Sequence, residues 1–255
     1  MKNMTDIIWY DSIDSTNNQA KRLLSGLPAM SVIAAREQTA GRGQRGNTWK
    51  SEAGSNLTFS IVMRFGPEFR QELPANCQFV ISEAVALGIK DYLGEENVRA
   101  RIKWPNDIYA GDRKICGILI ENTVSGERIT SCIAGAGLNL NQKDFPAELP
   151  NPVSLTMLTG KAYDVGNELL KAVARICSRL EEAFRSPHTL REAYLGSMYR
   201  KDEMHSYTDC SDGSVFKGII RGISDTARLM VETEGGKIKE FSFKEIGYLI
   251  GNRKL

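Results

Sequence analysis

Histidine is nearly missing from this chain of 255 residues, which holds only His188 and His205. Each is isolated from Cys, Asp or Glu partners at metal-ligand spacing, so neither a histidine base nor a histidine-built metal centre is expected. Cysteine is sparse too. Cys77, Cys116, Cys132, Cys177 and Cys210 form no C-x-x-C pair, which excludes a disulfide framework, a zinc site or a redox motif and leaves reduced, mostly buried thiols. Charge of one sign is also lacking: 33 Lys and Arg against 31 Asp and Glu leave +2, giving no global attraction to nucleic acid or to an anionic membrane. No apolar run approaches the roughly 18 residues of a membrane span, and the N-terminus lacks the apolar core of a signal peptide. A cytoplasmic protein without a membrane span is therefore the expectation.

What is present is an ordinary globular composition, 42% hydrophobic and 25% charged, with a mean hydropathy of −0.29. The length suits one or two domains with a core large enough to need no staples. Thr16, followed by Gln19 and then Ala20, Leu23 and Leu24, predicts a short helix opened by a capping box and stopped at Gly26. A strand at Val32 to Ala35 runs into the glycine-rich stretch 41–46, and a second strand follows in which Leu57, Phe59, Ile61 and Met63 alternate with Thr58, Ser60, Val62 and Arg64. A long helix is predicted from about Asn76 to Tyr92. After it, Val98, Ala100 and Ile102 alternate with Arg99, Arg101 and Lys103, so that one strand face carries three cations. Hairpins are expected at Gly111-Asp112 and Ser125-Gly126, and helices from Val165 to Phe184 and from Pro187. Beyond Lys201, short β-prone runs separated by Asp212-Gly213, Ser224-Asp225 and Gly235-Gly236 predict a separate small barrel. The domain division expected is 1–200 and 201–255.

Gly41-Arg42-Gly43-Gln44-Arg45-Gly46 matches the glycine spacing of a dinucleotide-binding turn, but that turn must open a helix, and here another strand follows. A loop between strands remains. Its glycines would let backbone amides approach an anion while Arg42 and Arg45 supply forked donors; a solvated basic hairpin fits the same residues equally well. The Arg99-Arg101-Lys103 face reads alone as a guarded sheet edge. Asn106 and Asp107, in a turn at the end of that strand, add the oxygen ligands of a magnesium and phosphate site. Lys114 follows seven residues later, across the proposed hairpin, where it could turn back into the same cleft and neutralise developing charge. In Ile133 to Asn141 the strand loses its side chains at Gly135 and Gly137, which marks either close approach by a ligand or a tight crossing of the sheet.

Taken in order, Asp14-Ser15-Thr16-Asn17, Glu37-Gln38-Thr39-Ala40-Gly41-Arg42-Gly43, Trp49, Lys103-Trp104-Pro105-Asn106-Asp107, Arg113-Lys114-Ile115-Cys116-Gly117-Ile118-Leu119 and Gly135-Ala136-Gly137-Leu138-Asn139 closely resemble the biotin protein ligases. The resemblance covers about residues 10 to 142. It implies an α+β fold: a central mixed β-sheet with helices on one side, as in class II aminoacyl-tRNA synthetases, and a small Src-homology-like barrel at the C-terminus. It also implies an ATP- and Mg2+-dependent reaction in two steps, in which biotin becomes biotinyl-adenylate and is then passed to a lysine of a biotin carboxyl carrier domain. Acyl adenylation needs charge stabilisation and positioning rather than a nucleophilic side chain, which suits a chain so poor in histidine.

Carried over by that resemblance, Ser15, Thr16, Asn17 and Gln38 contact biotin, together with Gly41, Arg42, Gly43, Gln44, Lys114 and Gly117. Lys114 and Arg42 are the catalytic pair. Arg42, Arg45, Trp49, Lys103, Asn106, Asp107, Lys114 and Asn139 hold the nucleotide, with Trp49 and Asn139 on the adenine and Asp107 reaching magnesium through the phosphates. Two departures from the family pattern stand out. Gln44 and Asn47 occupy places where the bacterial loop carries arginine, which predicts looser retention of the adenylate. Asp14 lies so near the start that no helix-turn-helix is expected, and with it no DNA binding. Rival readings are a lipoate-type ligase, a non-catalytic biotin sensor and an RNA-binding module; the last lacks stacking aromatics among its cations. The sequence leaves open the oligomeric state, a homodimer included, and the identity of the carrier.

Overall fold

The computed structural model describes residues 7–66 and 73–251. The first sheet has eight strands. Its members are β1 (Ile7–Ile13), β2 (Met30–Gln38), β3 (Leu57–Arg64), β4 (Leu73–Pro74), β5 (Ala100–Lys103), β6 (Asp107–Ala110), β7 (Arg113–Ser125) and β8 (Arg128–Leu138), in the order β1-β2-β3-β8-β7-β6-β5 with β4 against the end of β8. β1 runs parallel to β2 and the remaining pairs are antiparallel, so the sheet is mixed as expected. The second sheet is antiparallel: β9 (Met204–Asp209), β10 (Val215–Ile223), β11 (Leu229–Thr233), β12 (Ile238–Phe241) and β13 (Ile246–Tyr248), ordered β12-β11-β10-β9-β13.

Alternation along β2 and β3 sends side chains to two different covers. Val32, Ala34, Leu57, Phe59, Ile61 and Met63 join the main core with Ile81, Leu87 and Tyr92 of α2 (Phe79–Glu95) and with Leu169, Val173 and Ile176 on the helix Val165–Arg185. Ile33 and Val62 instead pack with Ile133 and with Ala20 of α1 (Thr16–Leu23). Helices on one side only was therefore wrong, because α1 covers the second face. For the same reason the polar members of β3 are buried: Ser60 is fully enclosed and Thr58 nearly so.

Several local expectations shift. The N-cap of α1 is Ser15 and its side chain makes no capping bond, so the capping box does not form. Gln19 bonds to Tyr10 and Arg22 instead, while Thr16 turns inward. The segment Ala75–Cys77 is a short 3-10 turn that precedes α2. β1, β9 and β13 were not foreseen. The first is half exposed along most of its length, and the last has three residues, too few for a period to show.

The remaining helices are α3 (Leu155–Thr159), α4 (Val165–Arg185) and α5 (Pro187–Gly196). Asp164 caps α4 by accepting from Asn167 N–H at 2.8 Å. Between α2 and α5, the enclosed carboxylate of Glu83 meets Arg191 Nε at 2.5 Å, and burial pushes its carboxyl up to about 7. Trp104 Nε1 donates to Ala227 O at 3.1 Å, tying the first sheet to the second, and one continuous core includes residues of both.

Removing the partner of a buried charge strands it. Arg191→Leu should cost about 3–5 kcal/mol at pH 8, where Glu83 is ionised. The raised carboxyl takes up its proton as pH falls through about 7, so the deficit should shrink by pH 5.5. Thermal melts followed by circular dichroism at the two pH values check this, and a deficit that stays constant contradicts it.

Candidate active site

A cavity of about 300 Å³ opens over the glycine-bearing parts of β7 and β8, walled by the start of α1, the loop after β2, the turn before β6 and the end of the second sheet. At one end, Gln38 Oε1 accepts from Thr16 N–H at 2.8 Å and from Thr16 Oγ1 at 3.2 Å. Ser60 Oγ lies 2.8 Å from Thr16 Oγ1 and 2.6 Å from Asn17 Oδ1. Asn17 Nδ2 donates to Glu121 Oε2 at 2.9 Å. These bonds occupy the Gln38 carbonyl with the backbone and hydroxyl of Thr16. Sequence reasoning missed Ser60 because it lies on the nominally polar face of β3; only the crossing of α1 shows that this face is buried.

The other end is cationic. Lys114 Nζ sits 2.7 Å from Asp107 Oδ1, and Lys103 Nζ lies 4.0 Å from Asp107 Oδ2. Lys103 is also packed over the rings of Tyr248, at 4.5 Å, and Tyr109, at 5.4 Å. Burial lowers its pKa, with the nearby Asp107 opposing. Lys114 owes its place to a bulge. Ile108 pairs with Cys116 but Tyr109 pairs with Lys114, which leaves Ile115 as the extra residue and turns Lys114 onto the face of Asp107 and Gly117. Its backbone is then pinned on the other side, Lys114 N–H donating to Asn151 O at 2.8 Å and Val153 N–H to Lys114 O at 3.0 Å.

Trp49 closes this end. A Cβ on Gly137 would stand 2.4 Å from Trp49 Nε1, so the ring requires a glycine beneath it, and a Cβ on Gly135 would strike the Asn17 amide in the same way. Close approach by protein side chains, then, explains both glycines of β8. The Trp49 indole N–H is buried with no hydrogen-bond partner, so an acceptor on a bound molecule would satisfy it. Ser15, Thr16, Asn17, Gln38, Arg42, Gly43, Gln44, Trp49, Lys103, Asn106, Asp107, Lys114 and Gly117 all line the cavity.

Two residues from the resemblance stand outside the cavity lining, Asn139 and Gly41. Asn139 is buried outside the cavity lining, its amide donating to Val153 O at 3.1 Å, so it braces the segment behind Lys114. Gly41 holds Trp49, accepting from its N–H at 2.9 Å, without bordering the cavity. The side chain of Arg45 lies outside the described residues. Asn106 borders the cavity, but its amide donates to Ile118 O at 2.7 Å and fixes the turn to β7. Arg99 and Arg101 part from Lys103, and Arg101 bonds to Gly196 O at the end of α5. Ile246, Gly247 and Tyr248 of β13, with Lys244 before it, complete the wall. Three residues are too short a signal for sequence patterning to have found them.

The cavity thus joins the Thr16-Asn17-Gln38 hydrogen-bonding cluster at one end to two lysines around a carboxylate at the other. The chain belongs to the biotin/lipoate A/B protein ligase family, whose model matches residues 9–139. A biotin--[acetyl-CoA-carboxylase] ligase of Paracoccus denitrificans is 34% identical over 235 residues, covering 88% of this chain and 93% of the relative. The bifunctional ligase/repressor BirA of Bacillus subtilis (strain 168) is 30% identical over 247 residues, covering 92% and 72%. Among solved structures, a biotin protein ligase from Aquifex aeolicus in complex with biotin and ATP superposes with a TM-score of 0.77 at 26% identity, covering 97% of this chain and 100% of that one.

Gly137→Ala should push Trp49 off the cavity wall. Nucleotide binding measured by calorimetry is expected to weaken by roughly tenfold, since a lost stacking ring costs about 1–3 kcal/mol. The melting temperature should move little, because Trp49 lies in a loop that can yield. Undiminished nucleotide affinity would remove Trp49 from the site.

Proposed function

We propose that this chain is a biotin protein ligase. It activates biotin with ATP to biotinyl-5'-AMP and then transfers the biotinyl group to a lysine of a biotin carboxyl carrier domain. The observation that carries the reading is the union, in one cavity, of the Thr16-Asn17-Gln38 cluster with the Lys103-Asp107-Lys114 cluster beside Trp49. The first suits a neutral, hydrogen-bonding ring system such as the biotin head. The second suits an acyl phosphate next to a nucleobase.

In the first step a biotin carboxylate oxygen bonds to the α-phosphorus of ATP, the bond to the β-phosphate breaks, and pyrophosphate leaves. Negative charge accumulates on the α-phosphoryl oxygens, and Lys114 is the group within the cavity best placed to meet it. Asp107 holds that ammonium at 2.7 Å, fixing its position before substrate arrives. Lys103, backed by Tyr248 and Tyr109, supplies a second cation for the departing phosphates. In the second step a carrier lysine, as its free amine, attacks the acyl carbon and AMP leaves. Acyl adenylation asks the chain for binding and charge stabilisation and for no nucleophile of its own.

Magnesium enters with ATP as part of the substrate. Asp107 is the one carboxylate among the described residues lining the cavity and is already engaged by Lys114, and no cluster of three potential metal ligands occurs among the described residues. That suits a chelate held mainly by the nucleotide's own oxygens rather than a protein cage. The division at 200/201 separates two sheets that share one core and one cavity wall, so we read the C-terminal part as a contributor to the nucleotide end. No helix among the described residues is long and apolar enough to cross a membrane. Residence in the cytoplasm, where ATP and carrier domains meet, belongs to the same reading.

Biotin-dependent exchange of labelled pyrophosphate into ATP tests the reading. Exchange is expected with biotin and not with lipoate; the reverse would make the chain a lipoate-type ligase. Binding of biotin without exchange would make it a sensor. Lys114→Ala should lower the exchange rate by at least the roughly 2.7–4 kcal/mol typical of one transition-state donor, about a hundredfold or more, with an unchanged circular dichroism spectrum. Gln44→Arg adds a charge to the loop and should slow release of biotinyl-adenylate in a trapping assay; an unmoved release rate would show that loop charge does not retain the intermediate.

A further inference from the structure

Glu121 lies on β7 beyond the cavity, and its carboxylate gathers donors from two separate elements. Oε2 accepts from Asn17 Nδ2 at 2.9 Å and from Arg42 Nη1 at 3.1 Å, while Oε1 accepts from Arg42 Nη2 at 3.0 Å and from Lys21 Nζ at 2.7 Å. Arg42 is thus gripped through both of its terminal nitrogens, a two-point geometry that fixes a guanidinium in plane as well as in place. Asn18 Oδ1 accepts from the same Nη1 at 3.0 Å. Partial burial acts to raise the Glu121 carboxyl, but the bonds from Lys21, Asn17 and Arg42 outweigh it and hold the group below its ordinary range.

The side chains of Arg42 and Glu121 are 38% and 20% exposed, and a pair that exposed adds little to stability. Its effect is one of position. The loop after β2 shapes itself through its own bonds, Gly43 N–H to Asn47 O at 2.7 Å and Trp49 N–H to Gly41 O at 2.9 Å. The bonds from Arg42 reach across to α1 and β7, the two other walls of the Gln38 end. Asn17, which borders the cavity, is oriented by the same carboxylate.

We propose that Glu121 is a positioning residue for adenylation: it holds the Arg42 guanidinium across the mouth of the biotin end, keeping the glycine loop closed over biotin and then over its adenylate. The proposal rests on the reading of the cavity as a biotin site. It assigns to Glu121 no contact with substrate; Arg42 makes the contact and Glu121 aims it.

The test uses the full chain with Glu121→Gln, Arg42→Gln and the double variant, measuring biotin affinity by calorimetry, release of biotinyl-adenylate by trapping, KM for ATP, and melting temperature. Glu121→Gln is expected to weaken biotin binding and speed release by roughly tenfold or more, with the melting temperature within a few degrees. Added to Arg42→Gln, it should change the release rate less than twofold, because the residue through which it acts on the loop is already gone. Glu121→Asp, which keeps the charge on a shorter arm, should fall between wild type and Glu121→Gln. Full additivity, unchanged release, or a parallel loss of biotin and ATP binding with a fallen melting temperature each overturns the proposal. A wild-type chain that exchanges no pyrophosphate with biotin, yet binds it, overturns the ligase reading while leaving the calorimetric arm to judge Glu121.

Discussion

The contact between Lys114 and Asp107 organises the reactive end of this protein. It joins neighbouring strands of one hairpin, and it exists only because the ladder between them slips by one residue at Ile115. Without that extra residue the side-chain period of two would place Lys114 on the opposite face, away from Asp107 and Gly117. The surrounding structure serves this geometry. The segment 151–153 pins the Lys114 backbone, Asn139 braces that segment through Val153, and Asn106 locks the preceding turn to β7. Asp107 in turn lies within reach of Lys103, which two tyrosines from different sheets support.

The opposite end depends on burial instead of charge. α1 lies across the second face of the sheet and encloses Ser60, Thr16 and Asn17, so a strand that alternates apolar and polar residues is covered on both sides. Enclosure makes every polar atom there costly unless it is paired, and the chain Gln38-Thr16-Ser60-Asn17-Glu121 satisfies them in sequence. A cavity with one rigid neutral end and one rigid charged end suits a reaction that asks the protein to align two substrates and absorb charge, and to supply no nucleophile.

Much of this was legible in the residues. The strands through 57–64 and 113–138, the helices from 79, 165 and 187, and the β-rich C-terminal part follow from periodicity, because a buried face imposes its own spacing on the chain. The order of the short motifs from Asp14 to Asn139 marked the family. The bond from Asn139 to Val153 was not legible: a motif records which residue is needed, but not which neighbour its side chain meets. Thr16 was misread as a cap, because a hydroxyl that satisfies a helix end and one that turns inward to Gln38 look identical along the chain.

By itself the sequence determined the chemistry on offer: a reaction centre without histidine or cysteine, the lysines and the aspartate near one turn, the glycines that admit close neighbours, and the small β unit at the end. Tertiary structure alone decided which of these groups meet. The bulge that turns Lys114, the crossing of α1 that buries Ser60, the arrival of Tyr248 over Lys103 and the grip of Glu121 on Arg42 each join residues distant in sequence or change a side chain's face. The reason is physical. Periodicity reports whether a position faces the core or solvent, whereas hydrogen bonds and ion pairs depend on distances of a few ångströms that only the packed chain sets.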